Sequence, residues 1–417
     1  MAGKTLILLC DNYPLSAREF FIDDEMRVIA PQFEKVIIYT ASTDTGERLN
    51  RFVPDNAEVV PFSTQKLEAG KLKSIFRIFR PMFLRELAFA FRKLPVRYWV
   101  SAFKIMYVDI HRATNLKNDL LRLYADSHIN LNDSVFYSYW HDYKALALAM
   151  LRCERGCVCV ARAHGWDNFA NRHNPPYLPF KRFILSNLSK TISISKAGKE
   201  YFESYVGGCG DKVAVSFLGK INNRQPLLAK SSDEILICSC SNLIPVKQVD
   251  RIIEVLSMLK NSNLHWVHFG DGPLRAELEA MAQKMLSNVK YEFKGIVPNS
   301  EILDFYASRY VDLFINLSSS EGIPVSIMEA LSAGIPVVAT NVGGTAEAVN
   351  NQNGFLIPAD FNSADVAQTI TNYLNLNTAQ QQQYRKNACD FWKDNFEAER
   401  NYGKFAEMLK GLKSEEN

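Results

Sequence analysis

The stretch that decides the fold runs from Val311 to Thr340 and reads VDLFINLSSSEGIPVSIMEALSAGIPVVAT. Two apolar runs, VDLFINL and IPVVAT, enclose a polar loop and a segment with the spacing of a helix. A buried strand, a loop, a helix and a second buried strand in this order form a βαβ unit, which predicts a parallel sheet.

The whole second half of the chain repeats this alternation of apolar strands with amphipathic segments. A doubly wound parallel sheet with right-handed crossovers is the expected result. The predicted strands are ILICSC, HWVHF, VKYEF, VDLFINL, PVVAT and GFLIPA.

The first half shows a similar pattern, with predicted strands at TLILLC, KVIIYTA, VFYSYW, CVCVARAH and TISIS. The periodicity stops in GKINNRQPLLAKSS, residues 219–232, which indicates a linker. We therefore predict an α/β protein with two Rossmann-like doubly wound domains, residues 1–220 and 221–394, facing a central cleft. The final helix, within residues 395–417, is expected to cross back onto the first domain.

Composition fits two globular domains, because 417 residues exceed one ordinary core. The net charge is only +3, and no run of about eighteen apolar residues predicts a transmembrane helix. The Cys-x-Cys alternation at Cys157 and Cys159 places both thiols on one strand face, which favours buried thiols over a zinc site with Cys153 and His164. The N-terminal apolar run is too short for a signal peptide, so we expect a cytoplasmic protein.

A basic and aromatic segment spans residues 71–104. It holds nine basic residues against the single acid Glu86, together with eight large aromatics. This composition suits a helix at an anionic membrane surface, and equally a helix pair whose aromatics pack in the core. Nucleic acid is not expected, because no binding motif accompanies the charge. The basic residues are Lys71, Lys73, Arg77, Arg80, Arg85, Arg92, Lys93, Arg97 and Lys104.

Polar and glycine residues follow several of the predicted strands in the second half. Lys247 begins a helix after ILICSC, where a cation beside free N–H groups can bind phosphate. Gly270 belongs to a tight turn after HWVHF, and its Gly-Asp-Gly-Pro sequence lacks the dinucleotide fingerprint. Gly295 and the backbone of Ile296 and Val297 can face a flat ring.

The segment after VDLFINL combines an anion site with two carboxylates. Pro324 fits the first helical position, so the N–H groups of Ile323, Val325 and Ser326 are predicted to be unpaired donors at the positive end of a helix dipole. Glu321 must then point at sugar hydroxyls or developing positive charge rather than at phosphate. Glu329 lies more than a turn further on, where it could hold a ribose diol.

Taken together, these residues resemble a known family. The pattern Glu321-x7-Glu329, followed by ALSAGIPVVAT and a Gly-Gly-x-x-Glu motif at Gly343 to Glu347, resembles the donor site of glycosyltransferase family 4, the group 1 glycosyltransferases of GT-B fold. KQVD, GDGP and FKG extend the likeness over the second half. RAHGWDNF, which includes His164, is similar to a segment of bacterial cell-surface polysaccharide glycosyltransferases.

The resemblance implies a retaining transfer from a nucleotide-sugar donor, without metal or cofactor, and the chain contains no Asp-x-Asp pair. It implies that Glu321 contacts the donor sugar, Glu329 the ribose and Lys247 the distal phosphate. His164 would bind the sugar or polarise the oxocarbenium. Many members carry Gly-Arg where this chain has Ser241-Asn242, so Lys247 has less help. The implied donor-binding residues are Asn242, Lys247, Gly270, Gly295, Ile296, Val297, Glu321, Gly322, Ile323, Pro324, Val325 and Glu329.

The acceptor is expected to be a saccharide, lipid-linked, used in synthesis of bacterial capsule, exopolysaccharide or lipopolysaccharide at the cytoplasmic face of the inner membrane. Glu19 is a candidate acceptor ligand. Two alternatives stay open. A nucleotide-sugar epimerase has the same two-domain layout, and a catalytically silent sugar-nucleotide-binding protein would keep the donor site without turnover.

Overall fold

The computed structural model describes residues 4–16, 19–41, 51–62, 76–126, 129–208, 210–261 and 263–414. The chain divides into two compact units, Met1–Phe217 with Asn401–Asn417, and Leu218–Arg400. The first limit lies close to the predicted linker at residues 219–232.

Within its described residues, the first unit contains a seven-stranded parallel sheet in the order β3-β2-β1-β4-β5-β6-β7. Five of these strands are the predicted apolar runs. The two edge strands β3 and β7 were not predicted, because β3 is half exposed and β7 has only three residues. The strands are β1 Thr5–Cys10, β2 Lys35–Thr40, β3 Ala57–Pro61, β4 Ser134–Ser138, β5 Val158–Ala163, β6 Lys190–Ser193 and β7 Val213–Val215.

The helices of the first unit connect these strands and cover the sheet. The helix Tyr143–Arg155 is buried along most of its length against the core, and the Asp142 side chain caps it by accepting the Lys144 N–H. The helices are α1 Ile22–Ile29, α2 Pro81–Lys93, α3 Trp99–Ala125, α4 Tyr143–Arg155, α5 Gly165–Asn168, α6 Lys181–Asn187 and α7 Lys196–Val206.

Within its described residues, the second unit contains a six-stranded parallel sheet in the order β10-β9-β8-β11-β12-β13. All six strands correspond to predicted runs, because strands buried on both faces read as continuous apolar segments. The strands are β8 Ile235–Cys240, β9 Leu264–Phe269, β10 Lys290–Phe293, β11 Leu313–Asn316, β12 Val337–Thr340 and β13 Gly354–Ile357. The helices are α8 Val249–Ser257, α9 Arg275–Met285, α10 Asn299–Ser308, α11 Val325–Ser332, α12 Ser363–Leu374 and α13 Thr378–Asn395.

The last helix, α14 Ala398–Gly411, starts in the second unit and continues into the first. Phe405 packs its ring 4.1 Å from the buried Arg162 guanidinium and 5.3 Å from the Tyr137 ring. Lys4 Nζ donates hydrogen bonds to the carbonyls of Lys410 and Leu412. The segment from residue 401 onward is therefore part of the first unit's core and edge.

Strand order reverses once in each sheet, between β1 and β4 in the first unit and between β8 and β11 in the second. In doubly wound sheets the loops after such a pair of strands diverge and leave a crevice that binds ligands. Among the predicted site residues, Glu19 follows β1, Lys247 follows β8 and Glu321 follows β11, whereas other predicted residues follow neighbouring strands of the same sheets.

The basic and aromatic segment is partly buried and partly exposed. Lys71 and Lys73 lie outside the described residues. Phe83 is fully buried in the core, as one interpretation expects, whereas Phe91, Val96 and Val100 stay exposed, as the other expects. Among the described residues, no helix is both long and apolar enough to cross a bilayer.

Candidate active site

Lys247 and Glu321 meet at the reversal point of the second sheet. Lys247 ends a 3₁₀ turn, Pro245–Lys247, after β8, so it lies just before helix α8 rather than inside it. Glu321 lies in the loop after β11, and the Lys247 Nζ is 2.6 Å from its Oε1. The two loops are joined by the Ser319 N–H, which donates to the Val246 carbonyl at 2.9 Å. The carboxylate and the ammonium therefore face one another on adjacent, connected loops.

The helix after Glu321 begins one residue later than predicted. Pro324 is the N-cap rather than the first helical residue, with φ −66° and ψ 123°, and α11 begins at Val325. Its carbonyl accepts the Ile327 N–H at 3.1 Å. Among the described residues, the backbone N–H groups of Val325 and Ser326 have no acceptor, which leaves a helix terminus suited to an anion.

Gly343 supports the Glu321 loop by direct backbone contact. Its φ is +55°, and a Cβ placed on it would lie 1.8 Å from the Glu321 carbonyl oxygen. The next N–H, from Gly344, donates to the Gly322 carbonyl at 2.7 Å. Only glycine fits at residue 343, so the Gly-Gly pair holds the loop that carries the candidate carboxylate.

Glu329 is 2% exposed and belongs to a buried polar triad. Its Oε1 accepts a hydrogen bond from Asn299 Nδ2 at 2.6 Å and lies 3.4 Å from Lys220 Nζ. Lys220 also donates to Asn299 Oδ1 at 2.5 Å. Sequence patterns did not indicate Lys220 or Asn299, apart from the polar start of the helix in VPNSEI. Because the carboxylate is buried, Glu329 does not form a surface salt bridge.

Gly270 and Gly295 form an antiparallel bridge in which the Gly270 N–H donates to the Gly295 carbonyl at 2.8 Å. A Cβ on Gly270 would lie 2.0 Å from the Ser241 carbonyl oxygen, so the loops after β8, β9 and β10 are in contact. Ile296 is 84% exposed. Asn242 is exposed and Val297 is half-buried. The predicted contact of this backbone with a flat ring stays a prediction.

His164 follows β5 directly and caps the short helix α5, in the first unit. Its ring stacks on Tyr139 at 4.6 Å between centroids, and its Nε2 lies 3.1 Å from the Tyr139 carbonyl oxygen, to which it donates. Burial and, to a smaller extent, the nearby Arg162 lower the pKa of His164 to about 3. The imidazole is therefore neutral at pH 7 and is a hydrogen-bonding group rather than a cation.

Glu19 stabilises the loop after β1 through hydrogen bonds. Its carboxylate accepts hydrogen bonds from the backbone N–H groups of residues 11–13, at 2.6 to 3.2 Å, and from Trp140 Nε1. The Trp140 ring also contacts His164, with centroids 4.9 Å apart. These four hydrogen bonds give Glu19 a local structural role, and its contact with an acceptor stays a prediction.

The thiols of Cys157 and Cys159 are buried and lie 3.6 Å apart on one strand face, as the alternation predicted. Among the described residues, no group of three or more His, Cys, Asp or Glu side chains is arranged to hold a metal ion.

Comparison with known proteins relates the second unit to a family model. Residues 220–390 match the family model described as "Glycosyl transferases group 1". The matched range covers most of the second unit and about two-fifths of the chain. The Lys247 and Glu321 pair, the Glu329 triad and the Gly343 contact all lie inside it.

Two curated relatives extend the match beyond this range. The phosphatidylinositol N-acetylglucosaminyltransferase gpi3 subunit of Schizosaccharomyces pombe is 29% identical over 68% of this chain and 64% of its own length. The putative colanic acid biosynthesis glycosyltransferase WcaL of Escherichia coli is 28% identical over 52% of this chain and 55% of its own. The chain spans less than two-thirds of the length of the curated relatives it matches first.

The fold is shared over nearly the whole chain. The structure of HepE from Anabaena, solved in complex with UDP, covers 98% of this chain and 100% of its own, with a TM-score of 0.65 and 17% identity. The chain thus has a GT-B fold, and the predicted α/β class with two Rossmann-like units is confirmed.

Proposed function

We propose that the chain is a retaining glycosyltransferase that moves a sugar from a nucleotide-sugar donor to a saccharide acceptor without a metal ion. One observation carries this proposal. A lysine ammonium, a buried carboxylate and a helix N-terminus converge at the reversal point of the sheet, within the range that matches the group 1 glycosyl transferase family model. Cation and helix terminus suit a diphosphate, and the carboxylate suits a sugar.

The distal phosphate of the donor would accept the N–H groups of Val325 and Ser326 and the ammonium of Lys247. Breaking the bond between the anomeric carbon and the phosphate oxygen leaves negative charge on that oxygen. Lys247 stabilises this charge as it develops, which is the usual way that fixed cations lower a barrier. Glu321 then accepts hydrogen bonds from the sugar hydroxyls and stabilises positive charge at the anomeric carbon.

The acceptor oxygen attacks from the face that the phosphate leaves, and the phosphate oxygen takes the acceptor's proton. This front-face displacement retains the anomeric configuration and requires no protein nucleophile. His164, in the first unit, is the residue we assign to the donor sugar, as a neutral hydrogen-bonding group. Trapping a covalent glycosyl-enzyme would reject this mechanism.

Glu329 is proposed to hold the ribose of the donor nucleoside. In the structure, this carboxylate accepts a hydrogen bond from the Asn299 amide. Ribose hydroxyls are also hydrogen-bond donors. The UDP bound to HepE supports a nucleoside diphosphate as the ligand class. Lys220, 3.4 Å away, keeps the buried carboxylate paired with a cation.

An exposed apolar-basic face on α2 and the start of α3 is proposed to contact an anionic membrane surface. Val96 and Val100 are about two-thirds exposed or more, and the exposed Phe91 ring stacks on Trp99 at 4.3 Å. The same stretch of chain carries exposed cations, and exposed apolar side chains accompanied by cations suit an anionic interface. The cations are Arg85, Arg92, Lys93, Arg97 and Lys104.

This face would bring the protein to a lipid-linked saccharide at the cytoplasmic side of the inner membrane, in the synthesis of a bacterial surface polysaccharide. The names of the two curated relatives support acceptors of this kind, since one includes phosphatidylinositol and the other colanic acid. Cosedimentation with anionic liposomes at low salt tests it. The double variant Val96→Ser/Val100→Ser should lose binding, while Met258→Ser, at an exposed site in the second unit, should not.

Turnover tests the proposed function itself. The protein is incubated with UDP-, GDP-, ADP- and dTDP-sugars and saccharide acceptors, and the released nucleoside diphosphate and the configuration of the product are measured by NMR. We expect acceptor-dependent release with one donor class and retained configuration. Donor conversion without nucleoside diphosphate release would indicate an epimerase, and donor binding without any conversion would indicate a silent binding protein.

A further inference from the structure

A cavity of about 360 Å³ lies within the first unit, at the carboxyl end of its sheet. Its wall includes Asp109 from α3, Asp142 from the loop after β4, and the segment 166–181 that follows β5. The volume falls in the range of small-molecule sites. None of the residues assigned above to the donor or to catalysis lines it.

Asp109 is the cavity carboxyl that lacks a partner. Among the described residues, its side chain accepts no hydrogen bond and forms no ion pair. Burial, together with the nearby Asp142, raises the pKa of the Asp109 carboxyl to about 7. Arg112, Lys181 and Lys144 lie within electrostatic range and oppose this rise.

The other two carboxylates in the wall are already engaged. Asp142 accepts the Lys144 N–H at 2.8 Å and pairs with the Lys144 ammonium at 2.6 Å. Asp167 accepts the N–H groups of His141 and His164, at 3.2 and 3.3 Å. Asp109 is therefore the wall carboxyl with both oxygens available to a ligand.

Trp166 provides a flat apolar wall. Its side chain is 56% exposed, and its ring is held 4.2 Å from the His173 ring. His173 in turn hydrogen-bonds the Trp166 carbonyl through Nε2 at 2.7 Å, which fixes the pair. An exposed, immobilised indole beside a carboxyl offers one surface to the C–H face of a sugar ring and one acceptor to its hydroxyls.

The charged side chains in the cavity wall determine which class of sugar can bind. The Lys181 ammonium is buried and bonded to the His141 Nδ1 at 2.9 Å and to the His141 carbonyl, so it is not available to a ligand carboxylate. Arg172 also lines the cavity, so the selection against an anion applies at the side of the wall formed by Asp109 and Asp142, where a ligand carboxylate or phosphate would meet like charge. Hydroxyl or amine donors would instead satisfy the carboxyl.

We infer that this cavity binds a saccharide whose inserted ring carries no carboxylate or phosphate, with Asp109 accepting from its hydroxyls and Trp166 against its apolar face. On the proposed function, this saccharide is the acceptor. Asp167 supports that assignment, because the same carboxylate that lines the cavity also holds the backbone of His164.

The inference is tested on the full chain by saturation-transfer NMR and titration calorimetry. The ligands are the methyl glycosides of glucose, galactose, mannose and N-acetylglucosamine. Methyl glucuronide is the matched anion. We expect saturable binding of at least one neutral glycoside and none of the glucuronide. Asp109→Asn, which keeps the side-chain shape, and Trp166→Ala, at an exposed ring, should each weaken binding about tenfold or more. Tyr124→Ala, at an exposed ring remote from the lining residues, should not change it.

Three results would overturn the inference: no glycoside binds the wild type, the glucuronide binds as well as the glucoside, or both cavity variants bind like the wild type. The melting temperature of each variant confirms that it is folded. Nucleotide-sugar binding is measured on the same samples. Glycoside binding without nucleotide binding would leave the cavity site standing and remove the proposed function, and the reverse result would do the opposite.

Discussion

The Lys247 ammonium and the Glu321 carboxylate lie 2.6 Å apart, although 74 residues separate them in the chain. Each follows one of the two strands between which the sheet reverses its order. The carboxylate is nearly buried and the ammonium is partly exposed, so a ligand can approach the lysine while the glutamate keeps its position. We expect a donor phosphate to share the ammonium with Glu321.

Replacing Lys247 with alanine should reduce kcat about 10²-fold to 10³-fold, with a smaller change in KM for the donor. The reason is that the lost cation acts mainly on charge that develops at the leaving phosphate. Steady-state kinetics separate the two constants. Lys284→Ala, which removes an exposed lysine from α9, serves as the control and should leave both unchanged. An equal rise in KM with unchanged kcat would show that Lys247 only binds the ground state.

Lys220 and Glu329 should be coupled in stability, because their side chains are both nearly buried and 3.4 Å apart. Lys220→Met leaves the carboxylate without its cation and should cost about 3 kcal/mol or more of unfolding free energy. Adding Glu329→Gln should recover part of that loss, which urea unfolding of both single variants and the double variant will measure. Simple additivity of the two single effects would contradict the coupling.

Gly343→Ala should displace the Glu321 loop and reduce turnover and stability together. Its Cβ would overlap the Glu321 carbonyl oxygen, and its φ of +55° is strained for alanine. Gly403→Ala is the matched control, since nothing lies within 4 Å of its added Cβ. Because Gly403 is inside a helix, that change should stabilise the protein by about 0.5 to 1 kcal/mol. Wild-type activity and melting temperature in Gly343→Ala would rule out the steric role.

Stability should depend on pH through His164. Its folded pKa of about 3 lies below the ordinary value of 6.5, so the unfolded chain binds more protons between these values. The neutral ring therefore makes its full contribution to the free energy of unfolding above pH 6.5. That contribution is lost as pH falls toward 3, by at most about 1.4 kcal/mol per pH unit. His164→Asn should flatten the dependence of the urea midpoint on pH relative to the wild type. His141, whose pKa burial also lowers, retains its own contribution in both proteins. Identical slopes in both would mean that His164 is protonated to the same extent in the folded and unfolded states.

The strands could be predicted because parallel strands buried on both faces consist of consecutive apolar residues, as in ILICSC and VDLFINL. The start of α11 was wrong by one residue for a physical reason. Proline fixes φ near −65° at both the N-cap and the first helical position, and only ψ, here 123°, distinguishes the two. The sequence pattern does not determine the ψ angle of Pro324, so it could not separate the two positions.

The partners of Glu329 could not be predicted, because Asn299 lies 30 residues away in the chain and belongs to a different loop. The cavity around Asp109 was missed for the same reason. Its lining residues come from a long helix and two distant loops, and only the fold brings them together. Lys247, Glu321 and Glu329 were identified through a resemblance to a family rather than from their spacing alone.

Calorimetric titration of UDP, GDP, ADP and dTDP into the wild type, Glu329→Ala and Lys284→Ala tests the donor site most directly. The proposed site predicts one-to-one binding of one nucleotide class, unchanged in Lys284→Ala and weakened about tenfold or more in Glu329→Ala, which is about 1.4 kcal/mol. Absence of binding by every nucleotide, or equal affinity in Glu329→Ala and the wild type, would contradict it.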